Sequence, residues 1–402
     1  MASSPELSLA HLVAPQSVSH FFEHSWEKDS CLGQISEEYA ERLMQPRDVE
    51  TLSYSLSACA RDWLRLIKDG RELPESLYST GEALVDIAKV NHAYHSGYTI
   101  QLSKVHKRWL PVSSMCRHLE QELLANGIEL SDRIGAHIYM TPPSAQGLGT
   151  HFDTQDVFIL QLAGEKRWKV WEWTDRYPIE RSPKPPTLEE LPPLKFDLTL
   201  KKGDVLYIPR GVFHEACTTD QFSLHLSLSI YPATWMDMLQ LALRESSLAR
   251  APITQGITFT GEKIAGMQTA IRNLLNQLEQ PDSLQRAING LRGRSLQRLD
   301  PLPVGALETE PRKTEISINT RLGRTTAPFV LCQENETPSL KWRDGVLKGN
   351  AANMAAFQQI ASSIEFDVSD IPLKSEAARL ALARELVAAG LFSAQDSEME
   401  HG

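Results

Sequence analysis

The spacing of apolar residues changes period several times along the chain, and each change marks an element. Between Ser19 and Lys28, Phe22 and Trp26 stand four apart, which places two aromatics on one helical face. Residues 37 to 70 keep a mixed helical spacing, with Asp48 and Thr51 as candidate caps and Leu52, Leu56, Trp63 and Leu64 as candidate core positions. Met115, Leu119 and Leu123 recur in steps of four between Ser113 and Asn126, and Gly127 follows as a stop signal, so a helix is predicted there. From Ile134 to Thr141 the period drops to two, with His137, Tyr139 and Thr141 on one face and Ile138 and Met140 on the other. The apolar run Asp156 to Leu162, the turn-like Ala163-Gly164-Glu165 and the run Lys166 to Glu172 predict a hairpin. A Gly203-Asp204 turn then feeds a short apolar strand that stops at Pro209-Arg210-Gly211, and Ser223 to Tyr231 supplies a further strand.

Beyond Tyr231-Pro232 helical spacing returns. Trp235, Met238, Leu239, Ala242 and Leu243 form one stripe, and Ile271, Leu274, Leu275 and Leu278 form a second within 265 to 278. From about 312 to 392 short strands (Thr314 to Arg321, Phe329 to Gln333, Ser339 to Arg343 with a turn at Asp344-Gly345) precede helices near 354 to 362 and 375 to 389, the texture of an α+β module.

At 402 residues the chain is long enough for two or three domains, each burying its own core. No apolar run is long enough for a membrane span, and Met1-Ala-Ser-Ser-Pro-Glu lacks the basic and apolar regions of a secretory signal. A cytoplasmic protein is therefore expected. Cysteines at 31, 59, 116, 217 and 332 form neither a zinc spacing nor a disulfide framework and read as buried thiols, with Cys217 a small filler beside His214. A net charge of −10 argues against a general nucleic-acid surface.

The candidate chemistry centres on His151-Phe-Asp153 and His214. Residues two apart on a strand point to one face, so His151 and Asp153 project together. A lone His-X-Asp pair is usually a solvated turn. Here it precedes a strongly apolar β pattern, and His214 lies just past a second strand end. Two imidazoles and a carboxylate make the facial triad of non-haem Fe(II) oxygenases, which leaves coordination positions open. His137, Tyr139 and Thr141, if they face inward, build a polar wall suited to a keto acid. His92, His95 and His106 read as surface or hydrogen-bonded histidines. Lys166 alone reads as a solvated lysine.

Together, Tyr139-Met-Thr-Pro-Pro143, Gln146-Gly147, His151-Phe-Asp153, Gln161-Leu-Ala-Gly-Glu-Lys166-Arg-Trp168, Gly203-Asp204-Val-Leu-Tyr-Ile-Pro209 and His214 resemble the JmjC-type ribosomal oxygenases of the cupin superfamily. The resemblance implies a mainly β double-stranded β-helix with an N-terminal helical scaffold over residues 1–233. A helical dimerisation region at 234–300 and a winged-helix-like α+β domain at 301–402 would follow. It implies Fe(II) at His151, Asp153 and His214, with 2-oxoglutarate and O2 as co-substrates. Lys166, fifteen positions after His151, takes the role of the basic residue pairing with the distal carboxylate. Arg167 and Lys169 then alternate outward. Tyr139 matches a pocket tyrosine, Thr141 shares its face, and Ser227 is a second candidate for the carboxylate. His137 departs from the family, which usually has Asn there, while His225 reads as structural. The implied reaction is hydroxylation of a protein or peptide side chain, a ribosomal protein being one candidate substrate, by a homodimer. An N-methyl-lysine demethylase, a peptide natural-product hydroxylase and a non-catalytic winged-helix nucleic-acid binder are the alternatives.

Overall fold

The computed structural model describes residues 7–55, 63–80, 85–173, 177–180 and 186–245, scattered positions between 272 and 293, and 316–395 apart from 326, 328, 335, 336 and 344. The chain forms two compact units, one of residues 1–128 with 134–232 and one of 129–133 with 233–402.

The first unit is built on ten strands: β1 (Cys31–Gln34), β2 (Leu64–Lys68), β3 (Arg71–Glu72), β4 (Thr99–Leu102), β5 (Gly135–Thr141), β6 (Asp156–Trp171), β7 (Leu194–Lys201), β8 (Asp204–Ile208), β9 (His214–Cys217) and β10 (Ser223–Ile230). One layer runs β1-β8-β6-β10-β5-β4-β2-β3, while β7 and β9 pair with the far half of β6. Every pairing is antiparallel.

The predicted hairpin at 156–172 is not formed. Asp156–Trp171 is one continuous strand of 16 residues that passes from one layer into the other. Its first half pairs with β8 and β10 and its second with β7 and β9. The residue mistaken for a turn is Gly164, whose φ of +62° and close approach to Phe222 mark a kink instead. A Cβ on Gly164 would lie 1.9 Å from the Phe222 carbonyl oxygen. Glycine inside a strand commonly serves such a close backbone approach.

Apolar residues of both halves of β6 (Val157, Ile159, Trp168, Val170) meet Leu200, Leu206, Ile208 and Val212 in a common core. Beneath them lies the N-terminal helix Val18–His24, capped by Ser17 Oγ accepting from His20 N–H. Its core residue is Phe21, fully buried against Phe158 and Tyr207, whereas the predicted Phe22 is only half-buried. Trp26 is buried as predicted, but it lies past the helix end. The mixed spacing of 37–70 resolves into helices Glu37–Leu43 and Pro46–Ser55 followed by β2, so helix gives way to strand before Leu64. Leu52 and Leu64 are buried, Trp63 is half-buried, and Leu56 lies outside the described residues. Asp48 caps by accepting from Gln45 N–H at 2.8 Å. Thr51, however, sits inside the helix and bonds back to Arg47 O. The helix Leu110–Ala125 buries Met115, Leu119 and Leu123, and Gly127 follows in the left-handed region. His106 is buried and its Nδ1 accepts from Ala136 N–H at 3.0 Å.

In the second unit, helix Trp235–Glu245 packs Met238 and Ala242 against Ala287, with Ile288 and Leu291 alongside. Leu241 is also buried, while Trp235 and Leu239 of the predicted stripe are 77% and 43% exposed. Of the second predicted stripe, Leu275 is helical and exposed; Ile271, Leu274 and Leu278 lie outside the described residues. Further on, strands Arg321–Arg324, Glu365–Asp367 and Phe392–Ala394 form one sheet and Phe329–Glu334, Thr337–Trp342 and Gly345–Lys348 another. Helices Met354–Ser362 and Glu376–Ala388 complete a core that includes Phe357, Leu340, Leu382 and Phe392. The first of these strands begins at Arg321, where the Ser317–Thr320 turn ends, and so later than the predicted 314–321. Strands 365–367 and 392–394, each of three residues, escaped prediction because so short a run carries no period.

Candidate active site

His151 and His214 face one another across an antiparallel bridge. His151 N–H donates to the His214 carbonyl at 3.1 Å and His214 N–H to the His151 carbonyl at 2.8 Å. Each imidazole is then turned by a carbonyl two residues upstream: His151 Nδ1 lies 2.8 Å from Gly149 O and His214 Nδ1 lies 3.0 Å from Val212 O. A carbonyl only accepts, so both Nδ1 atoms carry the proton and both Nε2 lone pairs are presented to the same point. The Asp153 carbonyl accepts from Gly211 N–H at 2.8 Å, which fixes the loop bearing the carboxylate to the loop leading to His214.

The ring centroids of the two histidines are 4.4 Å apart, and His214 Nε2 is 3.9 Å from Asp153 Oδ2. The donor atoms of His151, Asp153 and His214 all lie within 4.8 Å of one another. Ligands about 2.1 Å from a shared ion stand roughly 3–4 Å apart, so the cluster fits a metal after a small contraction. Burial drives the His214 pKa down to about 4; His151 reinforces that shift and Asp153 opposes it. His214 is therefore neutral at ordinary pH, as ligation requires.

Across a cavity lined by these three residues stand Tyr139, Lys166 and Ser227. Lys166 is 4% exposed, and its Nζ donates to Thr141 Oγ1 at 3.1 Å. Thr141 in turn accepts from Thr99 Oγ1 at 3.1 Å. No carboxylate pairs with the Lys166 ammonium among the described residues, and burial pushes its pKa down to about 7. A buried cation so placed calls for an anion in the cavity. The hydroxyl of Tyr139 accepts from Gln101 Nε2 at 3.2 Å. His137 lies opposite Ser227 in the β5–β10 register but is not among the cavity-lining residues, whereas Thr141 touches the cavity through Lys166.

Arg167 and Lys169 turn away from Lys166 and pair with Asp197 at 2.6 Å and Glu215 at 2.9 Å. Cys217 is exposed, not the expected filler, because the alternation along β9 that buries His214 turns Cys217 outward. Of the other cysteines, Cys116 and Cys332 are buried, Cys31 is half-buried and Cys59 lies outside the described residues. The lining residues not expected as site residues include Thr99, Trp168 and His225. The signal for the last two was present, since Trp168 is two beyond Lys166 and His225 two before Ser227, each sharing its partner's face.

Residues 112–238 match the JmjC domain family model. The chain is similar to the bifunctional lysine-specific demethylase and histidyl-hydroxylase NO66 of Drosophila persimilis, 30% identical over 62% of this chain and 36% of that protein. It is similar also to human ribosomal oxygenase 1, 29% identical over 58% of this chain and 36% of that one. The chain thus spans little more than a third of the length of these curated relatives. Among solved structures, the ribosomal oxygenase YcfD from Escherichia coli in complex with cobalt and 2-oxoglutarate superposes with a TM-score of 0.54 at 16% identity, over 95% of this chain and 99% of that one. The fold is therefore of the JmjC/cupin type.

Proposed function

We propose that this chain is an Fe(II)- and 2-oxoglutarate-dependent dioxygenase that hydroxylates a side chain of a protein or peptide. The observation that carries the reading is the pairing, across one cavity, of a cluster of two histidines and one carboxylate with a buried lysine that lacks a carboxylate partner among the described residues. His151, Asp153 and His214 would hold the metal and leave open positions for co-substrate and dioxygen. Lys166, with Thr141, would take the distal carboxylate, and Tyr139 and Ser227 would flank it. When bound, iron would supply the oxidising chemistry with dioxygen as oxidant, one oxygen atom going to the substrate C–H and the other to 2-oxoglutarate, which leaves as succinate and CO2. The protein's contribution is orientation: two carbonyls fix the imidazole tautomers, and Val157 and Ile159 give part of the cavity wall an apolar lining.

A ribosomal protein is the substrate candidate suggested by the relatives' names, and demethylation of an N-methyl-lysine would use the same cluster. Exposed Trp235, Met236, Leu239 and Leu275 support a homodimer formed through the region after the barrel, with a winged-helix-like tail beyond it. No described helix is long and apolar enough to cross a membrane. A cytoplasmic site of action is proposed from the sequence alone. The test is incubation of the protein with Fe(II), 2-oxoglutarate and panels of ribosomal-protein and methyl-lysine peptides. Succinate together with products of about +16 Da supports hydroxylation; loss of about 14 Da with formaldehyde would move the reading to demethylation. Absence of 2-oxoglutarate turnover with every peptide and metal loading would remove it.

A further inference from the structure

One wall of the cavity is a row of rings. His214 lies 6.2 Å from Trp168, Trp168 lies 5.5 Å from His225, and His225 stacks on Tyr139 at 4.9 Å with the planes 8° apart. At the ends of the row the polar atoms are engaged: His214 Nδ1 with the Val212 carbonyl, and the Tyr139 hydroxyl with Gln101. In the middle they are not. Trp168 Nε1 and His225 Nδ1 are buried with no hydrogen-bond partner among the described residues, in side chains only 4% and 3% exposed. A buried polar nitrogen without a partner is costly, and both of these belong to side chains that line the cavity. The indole N–H can only donate. Burial, aided by the neighbouring Lys166, holds His225 far below its usual pKa, so it is a neutral ring with one donor and one acceptor.

We propose that Trp168 and His225 are ligand-binding residues whose ring nitrogens hydrogen-bond the dicarboxylate that Lys166 attracts. This rests on the reading of the cavity as a 2-oxoglutarate site. The donor count agrees: a buried carboxylate offers about four lone-pair sites, and an ammonium already committed to Thr141 cannot fill them alone. A neutral histidine adds a hydrogen bond without a second positive charge beside Lys166.

The test uses the full-length, metal-free protein and succinate, so that neither turnover nor chelation enters the readout. The indole 15N–1H resonance of Trp168, identified by its loss in Trp168→Phe, should move on titration with succinate. His225→Phe, which keeps the ring stack and removes the nitrogens, should weaken succinate roughly 10- to 100-fold, the loss expected for a hydrogen bond to a charged group, and His225→Gln should restore part of it. If the wild type binds succinate, Lys166→Ala abolishes binding, and the Trp168 resonance stays still or His225→Phe binds as well as wild type, this proposal is overturned while the 2-oxoglutarate reading stands. If the wild type binds neither succinate nor, with metal, 2-oxoglutarate, both fall together.

Discussion

Lys166 makes co-substrate binding dependent on pH in a direction that the structure fixes. In the unliganded protein burial lowers its pKa from 10.5 to about 7, and among the described residues its ammonium meets a hydroxyl and no carboxylate. A dicarboxylate in the cavity would supply the missing countercharge and raise that pKa again. Binding must then take up a proton whenever the free enzyme holds Lys166 neutral. With a pKa of about 7, the protonated fraction is about 0.9 at pH 6, 0.5 at pH 7 and 0.1 at pH 8, so affinity should fall roughly tenfold per pH unit above 7, or ~1.4 kcal/mol per unit. Anaerobic titration calorimetry of the metal-loaded protein at pH 8, in two buffers of different ionisation enthalpy, should report uptake of close to one proton per 2-oxoglutarate. Lys166→Arg is the control, since guanidinium stays protonated throughout and should flatten the profile between pH 6 and 9. A wild-type profile as flat as that of the arginine variant, with no buffer-dependent heat, would refute the argument.

The same group has the opposite effect on the ligand-free fold. A lysine whose folded pKa is depressed leaves the unfolded chain binding more protons between pH 7 and 10.5, so stability from this group rises across that window, and the full cost, about 5 kcal/mol by simple linkage, is felt below pH 7. Lys166→Met should therefore raise the melting temperature at pH 6 while losing 2-oxoglutarate binding; a lower melting temperature would mean that the amine is stabilised by something other than the Thr141 hydroxyl. His151→Ala or His214→Ala should abolish succinate formation and leave the far-ultraviolet circular dichroism spectrum unchanged, and wild-type turnover in either would remove the metal assignment. Gly164→Ala should cost about 2–4 kcal/mol in urea unfolding, since alanine meets both the positive φ and the Phe222 carbonyl; a change under about 0.5 kcal/mol would show that β6 is not kinked there. Light scattering at micromolar concentration should give twice the 45.0 kDa of one chain, reduced to one chain by Leu239→Arg with Leu275→Glu; a single-chain mass for the wild type would rule out the dimer.

Much of the site was legible in the sequence because metal chemistry restricts both residue type and spacing. His151 and Asp153 are two apart, and His214 follows a strand that ends at Ile208; the structure brings their donor atoms together. Legibility failed where one sequence signal admits two backbone outcomes. Ala163-Gly164-Glu165 carries the glycine that either a hairpin turn or a strand kink requires, and local pattern cannot choose between them. The choice is made by partners far away in sequence: β10 and β8 hydrogen-bond the residues before Gly164, β7 and β9 those after it, and the Phe222 backbone occupies the space above it. The consequence reaches the site. On a hairpin, Lys166 and Ile159 would sit on paired, opposed strands; on one strand that changes layer, both line the same cavity, with Lys166 at the depth where its ammonium meets Thr141 on β5. The same logic explains why His225 looked merely structural. His225 shares the face of Ser227, but in the all-buried strand Ser223–Ile230 that alone fits a packed ring as well as a cavity wall, and the neighbouring Tyr139 and Trp168, supplied by two other strands, show which it is.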